Sequence, residues 1–541
     1  MNSNRKQRWL GLTAAVLITV GISACSGEDG AQTEGQPKPA QSQAAAATPA
    51  EPVKLKMWHP MNSSASAVVK NLGEVKMVQE WQKRTNTEFE FLHPTGGTGQ
   101  DVNQQLGVML ASGNLPDLMV WYWSNASKMY SDGTIVNLKE LIDQHAPNLK
   151  KVLDANPSVA KQIKADNGDI YVFPDLRTGP NGKYKTFSGM IIRQDWLDEL
   201  GLSSPETIDE WETVLRAFKE KKGATPLIAA KDSLFGSSSS KDLMGAYGIG
   251  QNFYQEDGIV KYGPLQPAFK QYLERMRKWY QEGLIDPDYA TNDTKARDAK
   301  VSSGKAGAFY GYIGGQMGTL FQALQKNEPQ AKLAAVQYPV LNKGDEPQFT
   351  MSTWDFNFTG AVITKTNKHP AETVKALDYL YSEEGTMLKN FGIEGETYTM
   401  VNGQPKYTDL IMNNPDKLPI GQAMAKYFIA SYEFAGPSDD RYNDQYYANE
   451  EQKNALTVYS KYADNYYKKA MPPISMTTEE TTEYSKIITD INTFRNETVT
   501  KIIMGSAPLE SYGEAIEQLK KMKIDRAIEI QQAALDRYNK R

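Results

Sequence analysis

A single cysteine, Cys25, stands in 541 residues, so no intrachain disulfide can staple the fold and stability has to come from burial. Histidine is scarce too: His59, His93, His145 and His369 are scattered along the chain. None has H-x-x-x-H or H-E-x-x-H spacing, which removes the usual zinc sites, and all four read as turn or surface residues. No G-x-S-x-G nucleophile turn occurs, and no phosphate loop: Gly304-Lys305 is followed by Ala306, and Gly311–Gly318 misses the dinucleotide spacing. A carboxylate pair for glycoside hydrolysis depends on fold geometry, and nothing singles one out among 65 acidic residues. After the first 24 residues no long uncharged apolar run remains to cross a bilayer. Basic clusters are missing as well. With 60 Lys and Arg against 65 Asp and Glu the formal charge is −5, which argues against nucleic acid and anionic lipid as partners.

What is present starts at the N-terminus. Arg5, Lys6 and Arg8 precede an apolar stretch from Trp9 to Val20, shorter than the roughly 20 residues a membrane span needs. Ile22-Ser23-Ala24-Cys25 follows. This is the layout of a secretory signal peptide, and the tetrapeptide resembles a bacterial lipobox in which Cys25 carries lipid (palmitate) and becomes the first mature residue. Losing residues 1–24 removes three cations and no carboxylate, leaving −8. From Ser26 to Pro52 the chain is Gly, Gln, Ala, Pro and Ser with hardly a large apolar residue, so it reads as a disordered tether. Residues 1–24 are thus expected to be the signal and 25–52 the lipidated cysteine with its tether. The expected location is the outer face of the cell membrane, held by lipid alone.

Order is expected from Val53. Val53, Leu55 and Met57 alternate with lysines, a half-buried strand. Val68, Leu72, Val75, Val78 and Trp81 recur at helical spacing, Phe89 and Phe91 mark a strand, Leu106–Leu110 lies in a helical stretch, and Leu118–Trp121 suits a buried strand. Strand, helix, strand, helix, strand predicts an α/β sheet with parallel crossovers. A second unit of the same style follows, with strands at Met190–Ile192, Ala308–Tyr310 and Ala334–Tyr338. Its helices start at a Thr207/Glu210 capping box and run from Phe269 to a stop at Gly283. Ala361–Ile363 and a helix through Val374 and Leu377 continue the pattern, and the last hundred residues are mostly helical.

Aromatic side chains gather at expected strand ends: Trp58, Trp121-Tyr122-Trp123, Tyr310 and Tyr312, with Trp354 near the passage back to the first unit. Ligands of open α/β sheets sit beyond the carboxyl ends of strands, and flat apolar rings there suit stacking on sugars. Three consecutive rings in an extended strand cannot all point into one core, because alternate side chains face opposite ways.

Several segments in this order resemble the extracellular solute-binding lipoproteins of the large sugar-binding (LplA-like, family 1) group. They are Ala111–Leu118, Gly168–Tyr171, Ile192–Leu197, Pro205–Trp211, Gly283–Asp288, Ser303–Gly307, Phe391–Tyr398 and Ala533–Tyr538. The group is similar to maltose-binding and alginate-binding proteins. The resemblance implies an α/β, two-lobed periplasmic-binding-protein-like fold with hinge crossings and an interlobe cleft. One lobe takes 53–183 plus 358–430, the other 184–357 plus 431–541. By the same likeness Trp121, Tyr310 and Tyr312 are ligand-binding; Trp58, Trp123 and Trp354 join them as aromatics at the strand ends and the passage, and Arg193 and Glu394, inside two of the quoted segments, complete the set. The implied activity is non-enzymatic: the binding subunit of an ABC importer, monomeric, meeting an oligosaccharide and the permease subunits. A peptide receptor and a ligand-presenting partner of a histidine kinase are the alternatives. No cofactor is expected; Asp166-Asn167-Gly168-Asp169 is shorter than the calcium loop of the alginate-binding members and reads as a tight turn. Cys25→Ser is expected to shed the protein into the medium, read by cell fractionation, with ligand affinity unchanged; loss of affinity would contradict a purely anchoring role.

Overall fold

The computed structural model describes residues 51–541 except 96–98, 180–184, 231–233, 236–240 and 431–433. The signal peptide, Cys25 and nearly all of the tether lie outside the described residues. Among the described residues no helix is long and apolar enough to cross a membrane.

Two main sheets carry the fold. The first contains β1 (Val53–Trp58), β2 (Thr87–Leu92), β3 (Leu118–Tyr122), β4 (Phe173–Leu176), β11 (Thr359–Ile363) and β14 (Gly436–Pro437), in the order β14-β4-β11-β3-β1-β2. The second contains β5 (Ser188–Arg193), β6 (Thr225–Ile228), β9 (Ala306–Tyr312) and β10 (Leu333–Ala335), in the order β10-β5-β9-β6. Two hairpins, β7 (Phe253–Glu256) with β8 (Ile259–Tyr262) and β12 (Tyr398–Val401) with β13 (Gln404–Tyr407), stand apart.

The expected parallel unit is present: β1 lies between β2 and β3 and runs parallel to both. Its alternation has a simple cause. Leu55 and Met57 face the core, while Lys54 and Lys56 project outward opposite Glu88 and Glu90 of β2. The helix between these strands differs from expectation. It begins only at Lys76, because Asn71 turns its side chain onto the Gly73 amide and Val75 stays extended. A local side-chain bond of this kind competes with helix formation. Once started, the helix buries Trp81, which stacks on Phe89 with centroids 4.5 Å apart and donates Nε1–H to Ala376 O at 2.8 Å. In the second unit the Thr207/Glu210 capping box forms, and its helix (Ile208–Lys222) stops at Gly223. Gly283 adopts a left-handed φ of 65° after the helix Ala268–Gln281.

One hydrophobic core draws on residues between Leu55 and Leu176 and between Phe356 and Tyr442. The remaining core residues fall between Met190 and Met351 and between Tyr447 and Tyr538. Among the described residues the backbone therefore passes between the two bodies three times. Two of these passages are bonded together, Arg177 N–H donating to Asp355 O at 2.8 Å, and just inside the first body Ser438 N–H donates to Leu176 O at 2.8 Å. Tyr446 packs against both bodies, with its ring so close to Gly314 that a Cβ there would fall 2.4 Å from it.

At the base of the passages sits a buried ion pair. Lys389 Nζ lies 3.3 Å from Asp175 of β4 and donates to Phe434 O at 3.0 Å and Gly436 O at 2.8 Å. Both side chains are fully buried. Burial pulls the ammonium below its ordinary pKa, and Asp175 opposes that pull.

The histidines are less superficial than expected. His59 is buried against the ring of Phe434. His93 is half-buried, with Nδ1 2.7 Å from His59 O and Nε2 accepting the Leu72 N–H at 3.1 Å. Nε2 can accept only on a neutral ring. Burial lowers the pKa accordingly. The unfolded chain then binds the proton that the folded chain refuses. Stability is expected to be full above about pH 6.5 and to fall as pH drops below it, and His93→Gln should flatten that dependence in urea titrations. Lys389→Met strands the Asp175 carboxylate and is expected to cost about 3–5 kcal/mol of unfolding free energy. Adding Asp175→Leu should recover most of that loss.

Candidate functional site

The carboxyl ends of β1, β2 and β3 and the start of β11 form one edge of the first sheet, because Thr359 of β11 pairs with Tyr122. The corresponding edge of the second sheet is set by the pairing of Ser188 with Tyr312. Aromatic rings stand at both edges.

On the first, Trp58 is buried and meets Trp121 edge-on at 6.5 Å. Trp121 is half-buried and donates Nε1–H to Asn103 Oδ1 at 2.8 Å, so its indole offers a face and no free donor. Trp123 is 1% exposed and donates to Gly360 O at 2.9 Å. It is a core side chain, a correction to its expected ligand role. Gly360, at φ 145°, is a glycine because a Cβ would lie 2.2 Å from Phe173 O. The strand alternation instead delivers Tyr122 outward: it is 48% exposed, and its ring is 5.8 Å from that of Phe358. Burial pushes its hydroxyl pKa up despite this exposure, which fits a recessed surface.

On the second edge Tyr312 is 45% exposed and lies parallel to Phe187, with centroids 6.0 Å apart. Tyr310, 6.3 Å from Tyr312, shares a 2.6 Å hydroxyl bond with Ser188. Between the edges Trp354 donates Nε1–H to Met471 O at 3.0 Å and meets the ring of Tyr467 at 5.0 Å.

One expected residue is elsewhere. Arg193 is buried at the opposite end of β5 from the Ser188–Tyr312 pairing. It is held by Asp195 and Glu328, both at 2.7 Å, and packs over Trp196, so it does not belong to the aromatic group. Glu394 is exposed in the turn before β12, and its neighbour Glu396 pairs with Lys76 at the start of the helix that follows β1.

Where the passages meet, Arg177, Lys185, Asp440 and Tyr447 help line a cavity of about 80 Å³. A second, of about 450 Å³, is lined by Lys185, Ser352, Thr457 and Tyr467 among others. Lys185 reaches Asp355 at 2.8 Å, and that bond helps raise the ammonium pKa against burial.

The Asp166–Asp169 turn does not fit a calcium ion. Arg537 and Arg541 both bind the Asp166 carboxylate, while Asn167 donates to Asp169 at 2.7 Å. Positive charge is already supplied there by guanidinium groups. Among the described residues no group of three or more His, Cys, Asp or Glu could hold a metal.

This is the two-lobed α/β architecture of solute-binding proteins, with aromatic strand ends beside a hinge. A family model described as bacterial extracellular solute-binding protein matches residues 70–387, and the chain belongs to that family. A fructooligosaccharide ABC transporter substrate-binding protein of Streptococcus pneumoniae, FusA, is 26% identical over 359 residues, 62% of this chain and 63% of that protein. The polygalacturonan/rhamnogalacturonan-binding protein YtcQ of Bacillus subtilis is 26% identical over 410 residues, 72% of this chain and 74% of its own length. The match to FusA thus spans just under two thirds of that relative's length. Among solved structures, alginate-binding protein AlgQ2 without calcium ion superposes with a TM-score of 0.74 at 27% identity, covering 90% of this chain and 98% of that one.

Arg541→Ala removes charged hydrogen bonds from the Asp166 turn and is expected to cost roughly 1.5–3 kcal/mol. A chelator is expected to leave the thermal transition where it is; a downward shift with EDTA would contradict this account of the turn.

Proposed function

We propose that this protein is the lipid-anchored substrate-binding subunit of an ABC importer and that its ligand is an oligosaccharide. The observation that carries the reading is the pair of half-exposed rings, Tyr122 and Tyr312, one at the strand-end edge of each sheet and each seated on a second ring. Trp121, which meets Trp58, stands beside Tyr122 on the opposite face of β3, and Tyr310 extends the second platform. Stacking on sugar faces needs such surfaces, and a site divided between two bodies couples occupancy to hinge closure.

We take the lobes to be the two bodies defined by the cores, with residues 177–187, 352–355 and 443–446 as the passages. The ligand binds both lobes only when they are together and so shifts the population toward the closed form, which the permease recognises. No chemical step is required. Cys25 and its tether keep the protein at the outer face of the membrane, near the transporter. The relatives support the sugar: FusA is described by its fructooligosaccharide, YtcQ by polygalacturonan and rhamnogalacturonan, and a Bacillus subtilis relative, MelE, by melibiose, raffinose and stachyose. The relative LipO is described as a lipoprotein, which supports the anchor.

A thermal-shift screen against oligosaccharides and peptides tests the reading. A sugar at 100 times its dissociation constant is expected to add about 2.7 kcal/mol of stability; shifts by peptides alone would overturn it. Tyr122→Ala and Tyr312→Ala are each expected to weaken sugar binding at least about tenfold, near 1.4 kcal/mol, in calorimetric titration with the melting temperature unchanged. Trp121→Ala is expected to weaken it further, since its face and its support of Trp58 are lost together.

A further inference from the structure

The charges beside the aromatic edges already have partners. Lys185 lies 2.8 Å from Asp355, Arg297, whose guanidinium reaches Tyr310 O, lies 2.7 Å from Asp298, and Arg177 lies 3.9 Å from Asp175, a carboxylate it shares with Lys389. Asp440 adds a further carboxylate to the cavity at the passages. Among the described residues there, cations do not outnumber carboxylates, and the whole chain is acidic. A uronic-acid chain would bring one carboxylate per sugar unit toward Asp355 and Asp440. Each would lose hydration without gaining an uncommitted cation among the described residues, an unfavourable exchange. Hydroxyl groups meet no such obstacle: the rings of Tyr122 and Tyr312 accept sugar faces, and Thr457 and the Tyr310 hydroxyl offer neutral hydrogen-bonding groups.

We propose that the ligand is an uncharged oligosaccharide, recognised by ring faces and neutral hydrogen-bonding groups, and that uronic-acid oligosaccharides are rejected. This rests on the reading that the strand-end rings bind a sugar. The test is a thermal-shift panel on the purified protein, pairing neutral fructo-, galacto-, gluco-, manno- and xylo-oligosaccharides with galacturonate and alginate oligosaccharides of matched length. The strongest hit is then titrated at low and high salt. The expected result is that the largest shift comes from a neutral sugar, whose affinity changes less than about twofold between 0.05 and 0.5 M NaCl, because screening has no ion pair to weaken. A uronate giving the largest shift, or a hit losing affinity about tenfold across that salt range, would overturn the proposal while leaving oligosaccharide binding intact. No shift with any sugar would overturn the oligosaccharide reading and this proposal together.

Discussion

The buried pair between Lys389 and Asp175 is the constraint on which the first body's end of the passages depends. An ammonium and a carboxylate both removed from water are costly unless each is held in place. Here the lysine's other donors are taken by Phe434 O and Gly436 O, so the charge fixes β14 beside β4. β4 leads into the passage that begins at Arg177, and β14 runs toward the one that begins at Asn443. The pair therefore fixes the first body's side of both. Arg177, two residues beyond Asp175, lines the cavity where the passages meet and shares that carboxylate with Lys389.

From that base the aromatic edges follow. β11 returns from the second body antiparallel to β3, which puts Phe358 next to Tyr122. β5 leaves the first passage directly after Phe187, which puts that ring under Tyr312. Tyr312 is thus backed by a residue from a passage between the bodies, and Tyr122 by one three residues beyond another.

Much of this was legible in the sequence. The lysine alternation of β1, the parallel β1–β3 unit, the Thr207/Glu210 cap and the stop at Gly283 all follow from local chemistry, and local chemistry settled them. β4 and β6 were harder, because each carries a proline inside a four-residue strand. β6 is the edge strand of its sheet, where proline is tolerated, and its outer side carries the isolated Leu227–Ile285 bridge rather than a further strand of that sheet. The alternation argument at Trp121–Trp123 correctly required one ring to point away from the core, yet sequence does not say which, and the structure gives that position to Tyr122. Arg193 sat in a segment with the right resemblance, but its partners Asp195 and Glu328 turn it into a structural ion pair. Glu328 is far away in sequence, so no local pattern could have disclosed that pairing. Phe187 and Phe358 acquire meaning only through pairing across strands, which is why no spacing pointed to them.

The most direct measurement of the central claim is small-angle X-ray scattering of the protein with and without a saturating oligosaccharide that raises its melting temperature. Binding between two bodies that close on the ligand predicts a smaller radius of gyration in the bound state, with Tyr122→Ala and Tyr312→Ala each reducing the fraction contracted at a fixed sugar concentration. An unchanged radius at full occupancy would contradict it, and would place the sugar on one body alone.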